Sequence, residues 1–135
     1  MSGLTTDWDS VSASVIARAL FDQLRDLLPQ DVSMVLDGDV RIVLSADPPG
    51  RSVFDVALIV DQETGRREDH VLAAVWGFVS SLQDVMVLHT RAPWPDPTKL
   101  NIDLPHAWFE NGFLYAGFGQ TAADSTTLVS MDLRS

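Results

Sequence analysis

The period of the apolar positions changes several times along the chain, and each change predicts an element. Val11, Val15, Ala19, Leu20, Leu24, Leu27 and Leu28 recur at spacings of three and four, which puts them on one face of a helix from Asp9 or Ser10 to Leu28. Asp9 or Ser10 can cap its first N–H groups, Trp8 can fold back as a hydrophobic staple, and Pro29 ends it. Arg18, Asp22, Arg25 and Asp26 take the solvent side. Residues 32–36 and 40–44 are β-branched and aliphatic around Asp37-Gly38-Asp39, a strong short-range hairpin signal. After the break at Asp47-Pro48-Pro49-Gly50, Val53, Val56, Leu58 and Val60 predict a third strand over 53–60.

A polar stretch at 61–67 leads into a second helix over 68–82. Its stripe of Val71, Leu72, Val75, Trp76, Phe78, Val79 and Leu82 is so wide that little of it faces water, which places it at the centre of the core. Residues 85–88 predict a fourth strand. Pro93, Pro95 and Pro97 interrupt regular structure over 91–99, and strands follow at 102–109, 113–118 and 126–133, with Asn111-Gly112 turning a second hairpin. This order predicts an α+β fold: a single mostly antiparallel sheet with two helices packed on one face. One domain is expected over 1–135, with 1–8 as an arm. The terminal strand is expected to leave unpaired backbone groups that invite a neighbour.

Composition narrows the function classes. A chain of 135 residues, 46% hydrophobic, is large enough for one domain to bury roughly 68% of its unfolded surface. Nineteen acids against nine bases give a net charge of -10, and no stretch concentrates Lys and Arg enough to track a phosphate backbone, so tight nucleic-acid binding is not expected. The same acidity suits a lumen that DNA slides past without sticking, or simply solubility. Lys99 is the single lysine, and Glu63, Glu68 and Glu110 are the only glutamates. That Arg and Asp bias fits a GC-rich genome, such as that of an actinobacterium or one of its phages. Without cysteine there is no disulfide, thiol nucleophile or thiolate metal site. The longest apolar run, 71–79, falls short of the ~20 residues of a membrane helix. The first nine residues lack a signal peptide's basic and apolar parts. No membrane association is expected, and the virion or the cytoplasm is the expected location.

No segment carries a reactive cluster, so no catalytic, cofactor or metal residue is assigned. His70, His89 and His106 have no partner at i+3 or i+4, and although Asp103 with His106 could make a ligand pair, His106 is more economically a capped or hydrogen-bonded surface histidine. Asp37-Gly38-Asp39 lacks the further oxygen ligands of a calcium loop. No serine sits in a nucleophile elbow. Gly117-Phe118-Gly119-Gln120-Thr121 lacks the lysine and the helix of a phosphate loop, and reads as a bulge or turn.

The more suggestive feature is Trp94 between Pro93 and Pro95. A rigid aromatic loop suits the centre of a protein interface; equally, Trp94 can fold under its own loop and cap the core. Trp108 and Phe109, adjacent on a strand, point to opposite faces, and the outward one needs cover. Trp94, Pro93, Pro95, Trp108 and Phe109 are therefore the candidate interface residues.

The layout resembles the small tail-terminator, tail-completion and neck proteins of long-tailed phages. The likeness lies in the capped N-terminal helix (9–28), the strand running into a helix (53–60, then 68–82) and the closing Thr127-Leu128-Val129-Ser130-Met131-Asp132-Leu133. It implies a homo-oligomeric ring, commonly a hexamer, that caps the tail tube and meets neighbouring virion proteins, with no cofactor. Two other classes stay open. One is a small acidic binding module of the immunity or secretion-chaperone type, and the other is a small pocket enzyme.

Overall fold

The computed structural model describes residues 6–121 and 123–134. Of the expected arm, residues 1–5 lie outside the described part. Asp7 caps a 3-10 turn, Trp8–Ser10, by accepting from Asp9 N. The first helix, α1, spans Ala13–Leu24, with Ser12 Oγ accepting from Val15 N at 3.3 Å. Its buried face is Ala13, Ile16, Ala17, Leu20 and Leu24, whereas Val15 is 53% exposed and Leu27 also faces water. The expected stripe is thus rotated. Val11, Leu20 and Leu24 of the expected stripe are buried and Ala19 and Leu28 pack against the core, while Val15 and Leu27 give way to Ala13, Ile16 and Ala17.

Three strands follow: β1 Ser33–Asp37, β2 Arg41–Ala46 and β3 Gly50–Asp55, antiparallel in that order. The hairpin at Asp37-Gly38-Asp39 forms as expected, with Gly38 at φ 68. The strand expected over 53–60 stops at Asp55, because its carboxylate accepts from Ala57 N at 3.0 Å and caps a short helix, α2, Val56–Val60. The second long helix, α3, runs over Arg67–Thr90 and absorbs the segment 85–88 that was expected as a strand. Val85 and Met86 continue the buried spacing of Val75, Phe78, Val79 and Leu82, and no breaker intervenes before Arg91 adopts a left-handed conformation. Then come β4 Leu104–Glu110, β5 Phe113–Gly119 and β6 Thr126–Asp132, again antiparallel, with Asn111 and Gly112 forming the positive-φ turn.

The single sheet with two helices on one face is therefore incorrect. Among the described residues there are two separate three-stranded antiparallel sheets, β1-β2-β3 (sheet A) and β4-β5-β6 (sheet B), and three α-helices. The physical reason is α3: what would have been the connecting strand is helix, and α3 packs against β2 of sheet A and β4 and β5 of sheet B. Phe54 meets Phe78 edge-on at 5.5 Å on one side of it. At 24 residues α3 is long and apolar enough to cross a membrane by length and composition, beyond what its densest run suggested, and half of its most apolar window is buried within the fold.

Ladder phase decides which backbone groups face outward. In an antiparallel pair, alternate residues turn both N–H and C=O to the same neighbour. Leu133 N donates to Gly112 O, so Ser130 turns away from β5. Gln23 of α1 meets it there, its Nε2 donating to Ser130 O at 2.8 Å and its Oε1 accepting from Ser130 N at 2.9 Å. On the opposite edge, Trp76 Nε1 of α3 donates to Pro105 O, and Pro105 has no N–H to leave unpaired. Helix side chains thus occupy part of both edges of sheet B.

A buried polar side chain fastens the proline-rich loop. Gln83, in the middle of α3, donates from Nε2 to the carbonyls of both Trp94 and Asp103, joining the two ends of the segment between them. Asp103 is buried in turn, accepting from Lys99 Nζ at 2.7 Å and Gln120 Nε2 at 2.8 Å. Lys99 first, and Gln120 second, hold its carboxyl below the usual carboxylate range. Replacing Gln83→Leu is expected to cost about 1–3 kcal/mol for each buried carbonyl left without a donor. Urea unfolding checks it, together with a loss of near-UV dichroism from a loosened Trp94.

Candidate functional site

The outward face of sheet B carries the largest ordered group of half-exposed aromatics. The two-residue turn at Asn111-Gly112 sets the register, pairing Glu110 with Phe113 and Trp108 with Tyr115. Strand alternation then sends Trp108, Phe113 and Tyr115 to one face, and Phe109, Leu114, Ala116 and Phe118 to the other. The rings form a ladder: Trp108 stacks on Tyr115 at 5.7 Å and 27°, and Tyr115 on Phe113 at 6.1 Å and 17°. Arg134 closes one end, its guanidinium 4.8 Å from the Phe113 ring. The same guanidinium holds both carboxylate oxygens of Asp132, at 2.9 and 2.7 Å, and brings that carboxyl down to about 2.

The candidate interface residues separate. Trp108 faces outward, whereas Phe109 turns inward and meets Trp8 at 4.9 Å, so Trp8 packs on sheet B. Trp94 is only 9% exposed and sits edge-on to Phe118 at 5.4 Å, under its own loop, with Pro93 and Pro95 half-buried beside it. Tyr115, Phe113 and Arg134 were not singled out from the sequence. The signal for the first two was present: Phe113 and Tyr115 alternate with the apolar Leu114 and Ala116, and the Asn-Gly turn fixes what lies opposite.

The titratable side chains of the described residues are held mostly by local partners. Among the described residues no group of three metal-ligating side chains comes together. His106 Nε2 lies 3.2 Å from Gly119 O. Among the described residues the one carboxylate–imidazole pair is Asp31 with His89, at 2.7 Å from Nε2, and Nδ1 lies 3.0 Å from the carbonyl of Pro48. Both ring nitrogens are occupied by acceptors. No nitrogen is left to take a proton from a nucleophile, and the ring satisfies both partners only as the imidazolium. A shallow, open depression of about 420 Å³ lies beside Asp31, lined also by Asp47, Arg51, Ser33 and Ser45.

The Asp31–His89 contact ties the last turn of α3 to the approach of β1 and the β2–β3 turn. Its hydrogen bond from His89 holds Asp31 below 3.8, and the bond to Asp31, then that to Pro48, raises His89 above 6.5. The helix C-terminus favours the same cation. No family model, curated protein or solved structure matches the chain.

Two outcomes follow from this geometry. A raised His89 stabilises the fold fully below 6.5 and ceases to do so as pH rises through its folded value; a lowered Asp31 contributes above 3.8 and ceases as pH falls through its folded value. Melting temperature is expected to decline on the alkaline side of 6.5, and His89→Gln is expected to remove that decline in melts taken across the same range. Trp94→Ala is expected to cost about 3–5 kcal/mol in chemical unfolding, as for a large core aromatic.

Proposed function

We propose that the protein is a non-enzymatic assembly protein, and that the outward face of sheet B is where it meets neighbouring subunits. The observation that supports this most is the Trp108–Tyr115–Phe113 ladder with Arg134, which stands outside a core that is filled without it. Aromatic residues and Arg are the side chains enriched at the centres of protein interfaces, where their large area is buried at small entropic cost. The setting proposed is a ring of the tail-terminator or neck type, in which this face of one copy meets a different face of the next and the rotation closes. In such a ring the -10 charge would line a lumen that repels DNA.

The same charge favours a second reading, a binding module that lays this face over a basic partner. Catalysis is not proposed: the Asp31–His89 pair is closed on Pro48, and Asp103 is saturated by Lys99 and Gln120.

The reading is tested by solution mass. Light scattering is expected to give the wild type a multiple of the single-chain mass. Trp108→Ser with Tyr115→Ser is expected to reduce it while the thermal midpoint stays close to wild type. A double variant that keeps the full assembly refutes the ladder as the contact. A single-chain mass with saturable binding to a basic polypeptide supports the second reading.

A further inference from the structure

The two sheets treat their edges differently. In sheet B, Gln23 and Trp76 occupy edge groups of β6 and β4. In sheet A, Val56 N donates to Val40 O, which fixes the phase of the β2–β3 ladder: Phe54, Ser52 and Gly50 face β2. Arg51, Val53 and Asp55 therefore turn their N–H and C=O groups to the free edge. No backbone bond from another element reaches these groups among the described residues. Beside this edge lies an open groove of about 330 Å³, lined by Gly50, Arg51 and Ser52 of β3 and Ser81, Asp84 and Leu88 of α3.

We propose that the β3 edge is a two-fold contact with a second copy of this chain, in which two β3 strands pair antiparallel about Val53 and join both A sheets into one six-stranded sheet. The segment Arg51-Ser52-Val53-Phe54-Asp55 is self-complementary in this register: Arg51 lies opposite Asp55, and Val53 opposite Val53. The register is also the one in which all three outward-facing residues find hydrogen-bonding partners, so side-chain charge and backbone phase agree. Arg51 has no ion-pair partner among the described residues. Asp55 commits Oδ1 to Ala57 N, while Arg41 reaches Oδ2 only at 3.5 Å, so Oδ2 can accept the incoming guanidinium. The outward side of sheet A carries Val35, Val43 and Val53 in one cross-strand row. Val35 and Val53 are 54% and 50% exposed, and pairing extends the row across the axis and covers Val53. The other edge, β1, places Ser33 opposite Asp37 in a comparable pairing and brings no complementary charge.

This contact is independent of the sheet B ladder. Being isologous, it doubles whatever the ladder builds.

The test uses the full-length chain and two substitutions that leave the β2 ladder intact. Val53→Pro removes an N–H that points to the free edge, where proline is tolerated, and is expected to abolish the two-fold contact. Arg51→Glu places like charges opposite each other on both sides of the axis. It is expected to weaken association by about ten-fold in sedimentation equilibrium, most strongly at low salt, while Arg51→Lys retains it. Hydrogen exchange supplies a readout that does not depend on mutation. The amides of Arg51, Val53 and Asp55 are expected to be protected at high concentration and to lose protection on dilution. A wild type that sediments as one chain, or Val53→Pro and Arg51→Glu variants that melt and associate like wild type, overturns the proposal. If the Trp108/Tyr115 double variant dissociates while the β3 variants do not, this contact fails and the ladder stands. The reverse pattern upholds this contact and removes the ladder.

Discussion

Burial of α3 on opposite sides is the constraint on which the rest depends. A three-stranded sheet with one apolar face needs a second layer to be stable, and here two such sheets share one helix. Phe78, Leu82 and Met86 are fully buried, and side chains of this kind each contribute about 1.5–3 kcal/mol before entropy is subtracted. The helix also serves as a fastening rail. Arg67 at its start donates to Val11 O at 2.7 and 2.9 Å, Gln83 in its middle holds both ends of the proline-rich loop, and His89 at its end holds Asp31 and Pro48. Connections that would otherwise drift are therefore referred to a single element.

That arrangement also decides which aromatics of sheet B stay outside the core. The helices α3 and α1 pack on sheet B, and Trp108, Phe113 and Tyr115 lie on the strand face away from Leu114 and Ala116 of the core. The turn at Asn111-Gly112 then lines up three rings across β4 and β5. The inward partners of the same strands, Phe109 and Phe118, are consumed by Trp8 and Trp94. The division of labour between Trp108 and Phe109 is thus a direct result of strand alternation and of which side α3 occupies.

Turns with dedicated chemistry were legible in the amino-acid sequence, and both hairpins fell where Asp37-Gly38-Asp39 and Asn111-Gly112 placed them. Val85, Met86, Val87 and Leu88 were not. A short run of apolar residues has the same composition in a buried strand and in a buried helix, and only continuity with Leu82 separates them. Missing it merged two sheets into one. Asp55 was hidden for a similar reason, since an acid within an apolar stretch looks like the solvent side of a strand until its carboxylate is seen capping α2. Trp94 read equally as an interface anchor or a core cap, and the contacts that go with the cap, Phe118 on its ring and Gln83 on its carbonyl, lie far from it in the chain or outside any local pattern. Arg134 required the register of β6 against β5, which no local pattern supplies.

Sheets A and B are joined by no backbone ladder; side-chain packing on α3 and α1 is what lies between them. Stiffness in this molecule is consequently directional. Stretching either sheet along its strands strains its backbone ladder, whereas tilting one sheet against the other is a shear-type displacement resisted by side-chain packing and by the side-chain bonds of Gln23, Trp76 and His89. The seam between the two sheets is the place where a relative displacement would leave every rung of both ladders in place.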